Sequence, residues 1–227
     1  KQHHLDLIRG QPLRYLNGTR DFGLVYQAGK ELKLSGAADA DFAGDCVKQR
    51  STIGTLGKLG DFGLIWDGCS LVKCIQTSTG HSETTAAASW CKEQVSARVQ
   101  LREFGLAEQG RVHCLVDNAG VVKQAVNTTN HAQAKHYRVA QAYIREKCDS
   151  EEVLMEKCDT DDNPADFFTK ALDRGPFEKH RYFIMGPQEN PGDAKTHDAK
   201  TKIAAAAASD DWSKRTWDEA TAFHAAE

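Results

Sequence analysis

The order of hydrophobic patterns along this chain of 227 residues constrains its fold more than any other feature. From Ser82 to Phe104 the apolar residues follow a helical period, which predicts a long helix ending before Gly105. Segments before this helix alternate and are separated by glycine and aspartate, as in an antiparallel meander. These predicted strands cover about 23–28, 32–39, 52–59 and 62–75. Strands followed by a long helix predict a mixed α/β class.

After the long helix the chain returns to short alternating elements. Arg111 to Val116 is an apolar run that predicts a strand, and the pair Asp117-Asn118 predicts the start of a helix that continues to about Val126. Asn163 followed by Pro164 predicts the start of a final helix. The remaining predicted elements are a helix over 133–148 and a strand over 153–157.

The two ends of the chain differ from its centre. Residues 1–22 predict a short lead-in helix, and 23–172 hold the predicted α/β domain. Residues 173–227 contain prolines and glycines, then an alanine run and aromatic residues, which predicts a linker and an extension able to form short helices. This extension is interpreted either as a docking segment for a larger assembly or as a frayed end.

Composition limits the classes of function. The net charge of −3 and the pI near 6.3 argue against a strongly basic nucleic-acid-binding protein. No run approaches the roughly 18 apolar residues that a membrane helix needs, and the start lacks both an initiator Met and a signal-peptide core, so we expect a processed product or a fragment. Seven cysteines without a C-x-x-C pair favour reduced thiols, and thus cytoplasm or nucleus, with an organelle as an open alternative.

One segment departs from this average charge. Between residues 123 and 147 the chain carries five Lys and Arg residues against one acidic residue. Such a stretch can lie along a phosphate backbone, although charge runs usually mean only a solvated helix face. The candidate nucleic-acid-binding residues are Lys123, Lys135, His136, Arg138 and Arg145.

Four acidic residues fall at the ends of predicted elements. Asp39 ends a strand and Glu83 begins the long helix, whereas Asp117 lies at a strand-to-helix junction and Asp166 in the first turn of the final helix. Carboxylates gathered at one point repel one another, and a protein keeps such a cluster mainly to hold divalent cations. The alternative for each acid is a turn residue, a helix cap or a partner of the helix dipole.

The residues around these acids resemble a known family. The chain is similar to the ribonuclease H domain at the C-terminal end of copia-type retrotransposon polyproteins, which follows the reverse transcriptase. This resemblance implies a five-stranded mixed sheet flanked by helices, with a helical C-terminal extension. The matching stretches, in family order, are Leu16–Thr19, Ala38–Asp45, Arg50–Gly54, Ile65–Trp66, Ser82–Glu83, Val116–Asn118, Ala134–His136, Tyr143–Glu146 and Ala165–Leu172.

The resemblance also implies an activity. Members of this family cleave the RNA strand of RNA/DNA hybrids with two Mg²⁺ or Mn²⁺ ions, so the four acids are expected to be catalytic and metal-binding residues. Asp39 is expected to bridge both ions, with Glu83 and Asp117 toward one ion and Asp166 toward the other. The implied partners are the hybrid and an upstream reverse transcriptase domain.

The chain departs from the family pattern near the site. His81 replaces an acid of the family, Ala37-Ala38 replaces Tyr-Ser, and Thr84 replaces an aromatic residue. A catalytically inactive, domesticated domain that acts as a structural or assembly subunit is therefore the alternative function. An integrase of related fold fits poorly, because integrases carry their acids in the order D, D, E.

Overall fold

The computed structural model describes residues 5–6, 10, 12–26, 33–45, 47–61, 63–106, 110–126 and 135–188, with only the backbone at 63–67 and 135–136. The chain divides into two units, of which one comprises Lys1–Phe22 with Pro187–Glu227 and the other Gly23–Gly186. In the first unit, helix α1 covers Pro12–Gly18. The second unit holds the sheet and the predicted site.

The sheet of the second unit has five strands in the order β3-β2-β1-β4-β5. β1 pairs antiparallel with β2, and β2 with β3, whereas β1, β4 and β5 run parallel to one another. The predicted mixed five-stranded sheet flanked by helices is therefore confirmed. The strands are β1 (Leu34–Asp41), β2 (Thr52–Leu59), β3 (Gly63–Leu71), β4 (Val112–Val116) and β5 (Val153–Lys157).

One predicted strand is not observed. Residues 23–26 of the segment predicted at 23–28 have no strand pairing, and 27–28 lie outside the described residues. The backbone N–H of Val25 donates to the carbonyl of Met185 at 3.0 Å. This hydrogen bond ties the segment to the end of a helix, so the N–H of Val25 is satisfied without a strand ladder.

Five helices flank the sheet in the described part of this unit. The longest, α2, begins at Thr79 instead of the predicted Ser82, because Ser78 caps it by accepting a hydrogen bond from the N–H of His81 at 3.2 Å. None of the described helices combines the length and the apolar composition needed to cross a membrane. The helices are α2 (Thr79–Glu103), α3 (Ala119–Val126), α4 (Lys135–Asp149), α5 (Asp166–Thr169) and α6 (Arg174–Met185).

The predicted final helix is broken into two. The prediction that Asn163 caps this helix was wrong, since Asn163 is buried in a turn and α5 begins only at Asp166, after Ala165 as cap. The α6 helix then begins after Asp173 and packs against β3 and α5, with the ring of Phe177 stacked 4.8 Å from that of Phe167. The compact unit thus reaches Gly186 and is longer than the domain predicted over 23–172.

The two faces of the central strands pack against different helices. Leu34, Ala38 and Ala40 of β1 belong to the buried apolar cluster formed with α2. Because side chains alternate along a strand, Asp39 points to the other face, where α5 packs on β1 and β2. Trp90 of α2 is fully buried, and its indole N–H donates to the carbonyl of Leu56 at 2.8 Å.

The described cysteines are free thiols. Six of the seven cysteines lie in the described residues, and none of the six is in a disulfide. Three of them, Cys91, Cys114 and Cys158, are buried, and burial raises the pKa of Cys158 to about 12. Such thiols stay protonated at neutral pH and act as small apolar side chains.

Candidate metal centre

Three of the four predicted acids converge in space. Asp39 of β1, Glu83 of α2 and Asp117, directly after β4, each offer a carboxylate oxygen, and these oxygens lie within 4.8 Å of one another. Asp39 and Glu83 are buried and Asp117 is half-buried. Acids more than thirty positions apart in the sequence therefore form one cluster, two of them on the central strands β1 and β4 or directly after them.

Asp166 lies on the other side of Asp39. It is not a member of the three-carboxylate group, but its side chain is close enough to Asp39 for a hydrogen bond between the two carboxyl groups. Lys170, one turn further along the chain, lies between them. Its Nζ is 2.8 Å from Asp166 Oδ1 and 3.4 Å from each carboxylate oxygen of Asp39.

A glycine allows α5 to approach the sheet at this point. Gly54 of β2 is the register partner of Asp39. A Cβ atom at Gly54 would lie 2.8 Å from Thr169 Cγ2 and 2.9 Å from the carbonyl oxygen of Ala165, closer than real Cβ contacts. The missing side chain therefore lets α5 lie directly on β2, so that its residues reach Asp39.

The turn before α5 is fixed to β1. The amide of the fully buried Asn163 donates to the carbonyl of Ala38, the residue before Asp39, at 3.1 Å, and its Oδ1 accepts from the N–H of Ala165 at 3.1 Å. The hydroxyl of Thr169 donates to Asp39 Oδ2. These contacts tie the position of Asp166 to that of Asp39.

The start of α2 is held against β2 in a similar way. Ser82, which precedes Glu83, shares a buried hydrogen bond of 2.9 Å with Ser51.

Two positions at which the chain departs from the family pattern, His81 and Thr84, both contact Tyr137 of α4. The rings of His81 and Tyr137 lie 5.0 Å apart, and the hydroxyls of Thr84 and Tyr137 are separated by 3.3 Å. Tyr137 thus packs beside the altered positions.

Burial and mutual repulsion raise the pKa values of three of the acids, Glu83, Asp117 and Asp166. Burial, followed by the charges of Asp39 and Asp117, raises the pKa of Glu83 to about 8. Burial also raises the pKa of Asp117 and that of Asp166, the latter to about 6. Burial lowers the pKa of Lys170, but its hydrogen bond to Asp166 and the charge of Asp39 outweigh burial, so this pKa lies above its ordinary value.

The donor set fits a hard divalent cation. Three carboxylate oxygens at this spacing match the ligands that Mg²⁺ and Mn²⁺ prefer, and a bound cation would offset the repulsion among these carboxylates. On the side of Asp166 the fit differs, since the ammonium group of Lys170 already contacts both carboxylates. The cluster therefore has an acidic side and a side with a built-in positive charge.

The basic residues predicted to bind nucleic acid have different environments. Lys123 and Arg138 are exposed. Arg145 is half-buried, and its guanidinium donates to the carbonyl of Gln124 at 3.3 Å, which links α4 to α3. Lys135 and His136 lie in the first turn of α4, and their side chains are outside the described residues.

Similar proteins include transposon polyproteins. The chain is 35% identical over 167 residues to the retrovirus-related Pol polyprotein from transposon TNT 1-94 of Nicotiana tabacum, which covers 73% of this chain and 12% of that protein. It is 30% identical over 179 residues to the polyprotein from transposon RE1 of Arabidopsis thaliana, covering 78% of this chain and 12% of that protein. The chain is homologous to retrotransposon Pol polyproteins.

The relationship predicted from the sequence motifs is confirmed by these polyproteins. The match to this chain covers only 12% of the length of each of these two polyproteins. No protein-family model matches it. Among solved structures it is similar to the ribonuclease H1 of Halobacterium salinarum, with a TM-score of 0.43 and 15% identity over 60% of this chain and 94% of that one.

Sequence reasoning missed several residues that shape the site. Lys170 and Thr169 contact Asp39, and Asn163 fixes the turn before Asp166. The pair Thr169-Lys170 lies inside the matching stretch Ala165–Leu172, so its position beside an acid was a usable signal. The packing of Tyr137 on α2 had no such signal, because it joins two helices that are distant in sequence.

Proposed function

We propose that this protein is a metal-dependent endonuclease that hydrolyses the RNA strand of RNA/DNA hybrids. The observation that carries the proposal is the convergence of Asp39, Glu83 and Asp117, whose oxygens lie within 4.8 Å of one another. This cluster lies in a homologue of retrotransposon Pol polyproteins, at the positions that the ribonuclease H motifs assign to the catalytic acids.

In this proposal Asp39, Glu83 and Asp117 would hold one Mg²⁺ or Mn²⁺ ion, and Asp39 and Asp166 would hold a second. When bound, the ions would activate a water for attack and stabilise the leaving 3′ oxygen. Glu83, with a pKa of about 8, must release its proton to become a ligand. Thr169 holds the carboxylate of Asp39 through a hydrogen bond, and the buried Asn163 keeps Asp166 beside it.

The substrate must approach without strong attraction from net charge, which is −3. Lys123, Lys135, His136, Arg138 and Arg145 are the proposed phosphate contacts, and the exposed pair Lys123 and Arg138 is best placed for them. Discrimination of RNA from DNA would rest on 2′-hydroxyl contacts and groove shape. An upstream reverse transcriptase domain, in a reducing intracellular compartment, would supply additional affinity for the hybrid.

The test is cleavage of a labelled RNA strand in three settings: paired with DNA, paired with RNA, and single-stranded, each with Mg²⁺. We expect cleavage only of the RNA paired with DNA, leaving 5′-phosphate and 3′-hydroxyl ends. Asp117→Asn should lose this activity because it removes a ligand of the cluster.

The matched control is Asp161→Asn, which also removes one carboxylate charge. Asp161 is exposed, and Lys179 Nζ donates a hydrogen bond to its backbone carbonyl, which the substitution leaves in place, so the variant should cleave like the parent. A parent protein no more active on the hybrid than Asp117→Asn would end the nuclease proposal. The inactive assembly subunit would then be the better description.

That alternative is less well supported by the geometry. A domain that had lost its metal site need not keep three carboxylates in mutual contact, because their repulsion costs stability. The oxygens of Asp39, Glu83 and Asp117 nevertheless remain within 4.8 Å. The C-terminal extension through which an assembly contact was predicted lies outside the described residues from position 189 onward.

A further inference from the structure

The ammonium group of Lys170 has the contacts expected of a bound cation. Its Nζ approaches one oxygen of Asp166 at 2.8 Å and both oxygens of Asp39 at 3.4 Å. The same carboxylates would be ligands of the second ion. An ammonium group and a divalent ion cannot share this space, because both need direct contact with the same oxygens and they repel each other.

We propose that Lys170 is the resident cation of the Asp39–Asp166 pair, so that the free protein binds one divalent ion and admits a second only when this ammonium group leaves. The proposal rests on the proposed function in taking the acids as metal ligands. It adds that the two metal positions are unequal before substrate arrives. The first position would lie among Asp39, Glu83 and Asp117, whose carboxylate oxygens lie within 4.8 Å of one another.

The side chain of Lys170 can leave the carboxylates without a change in the fold. It is 35% exposed, whereas that of Asp39 is 1% exposed, so the ammonium group can turn toward solvent while the carboxylates stay in place. Lysine has a flexible stem and a compact charge, which suits a group that exchanges partners. A phosphate of the bound nucleic acid is a suitable new partner, and substrate binding would then open the second position.

The test is a calorimetric titration of the full chain with Mn²⁺ in the absence of nucleic acid. We expect one bound ion for the parent and for Lys170→Arg, which keeps the positive charge. Lys170→Gln, of similar length but neutral, should bind two ions, since a positive charge beside the ligands of the second ion has been removed. Lys179→Gln, which loses an ion pair with Asp162 away from the cluster, should bind one.

Two bound ions of similar affinity in the parent would overturn the proposal and leave the nuclease function standing. One ion in folded Lys170→Gln would overturn it as well. No bound ion in any variant would overturn both, and hybrid cleavage measured on the same samples separates these cases. Far-ultraviolet circular dichroism checks the folding of each variant. If Lys170→Gln does not fold, the stoichiometry of the parent and Lys170→Arg still decides.

Discussion

The acidic centre and the basic segment over 123–147 differ in how their charges are held. At the acidic centre, carboxylates from distant elements are buried against one another, and burial raises the pKa of Glu83 to about 8. In the basic segment, Lys123 and Arg138 are exposed, whereas Arg145 is used to join two helices. This difference shows that like charges buried against one another, at a cost in stability, indicate a functional site more strongly than a high number of charged residues along the chain.

The largest effect should come from removing the residue common to both sides of the acidic centre. Asp39→Asn should lower the rate of RNA cleavage by at least roughly 10²–10³-fold, because it removes a ligand from each proposed ion. The same variant should lose Mn²⁺ binding by calorimetry. Asp159→Asn, in the exposed loop before Asp166, serves as control and should keep both properties. Equal rates for the two variants would contradict a special role for the buried cluster.

The next effect tests whether close approach of α5 builds the centre. Gly54→Val places side-chain atoms where Thr169 and the carbonyl of Ala165 lie, so α5 must shift away from Asp39. We expect a loss of roughly 1–3 kcal/mol in the free energy of unfolding and at least about a tenfold loss of activity. Urea unfolding and hybrid cleavage measure the two.

Gly175→Ala is the control for this substitution. A Cβ at Gly175 meets no atom within 4 Å, so stability should not fall and activity should be unchanged. If Gly54→Val cleaves the hybrid as fast as Gly175→Ala, the close contact between β2 and α5 is not needed to place Asp166.

A third effect concerns the free energy of unfolding in the absence of metal. The pKa of Glu83 is about 8 in the folded protein and about 4.5 in a solvated chain, so the folded state holds the proton more tightly. Its contribution is neutral below about pH 4.5, becomes increasingly destabilising up to about pH 8, and is then constant. Each unit of pKa difference corresponds to about 1.4 kcal/mol, so Glu83→Gln should be more stable than the parent by several kcal/mol near pH 8.5 in a chelator, and by less than about 1 kcal/mol near pH 5.

Thermal unfolding from pH 5 to 9 measures this gain. Glu93→Gln, exposed on the same helix, controls for the loss of one negative charge. A difference between the two variants that does not grow with pH would show that Glu83 is not held in a repulsive cluster. Added Mn²⁺ should stabilise the parent and Glu93→Gln but not Glu83→Gln.

The smallest effects distinguish the two kinds of basic residue. Arg138→Ala should raise the KM for the hybrid about twofold to threefold and reduce its salt dependence, without changing stability. Arg145→Ala should lower stability by about 1 kcal/mol, because it removes the hydrogen bond to Gln124. Cleavage rates at two salt concentrations, with urea unfolding, check both. A loss of stability in Arg138→Ala together with a raised KM in Arg145→Ala would mean that the half-buried arginine, and not the exposed one, binds the hybrid.

Much of the site could be predicted because strand ends and helix starts are marked locally. The patterns predicted β2 at 52–59 and β5 at 153–157, and the structure has Thr52–Leu59 and Val153–Lys157. Asp117 directly follows β4, as the local pattern predicts. Asp39 lies inside β1, which continues to Asp41, and Glu83 lies in the second turn of α2, which begins at Thr79. The start of α6 is also marked locally, since Asp173 followed by Pro176 begins this helix inside the segment that composition predicts to be a linker.

Other features depended on contacts that no local pattern encodes. Whether Lys170 turns to solvent or to Asp39 is decided by the packing of α5 on β2, which requires Gly54. The use of Arg145 between α3 and α4 likewise depends on the distance between two helices. Sequence spacing predicts which residues share an element, but the contacts between elements follow from packing.

The most direct test of the acidic centre is the Mg²⁺ dependence of RNA-strand cleavage in a hybrid by the full chain. We predict no cleavage in a chelator, cleavage that rises as Mg²⁺ is added, and none at any Mg²⁺ concentration for Asp39→Asn. Cleavage that persists in the chelator, or a parent that never exceeds Asp39→Asn, would contradict a metal-dependent nuclease built on these carboxylates.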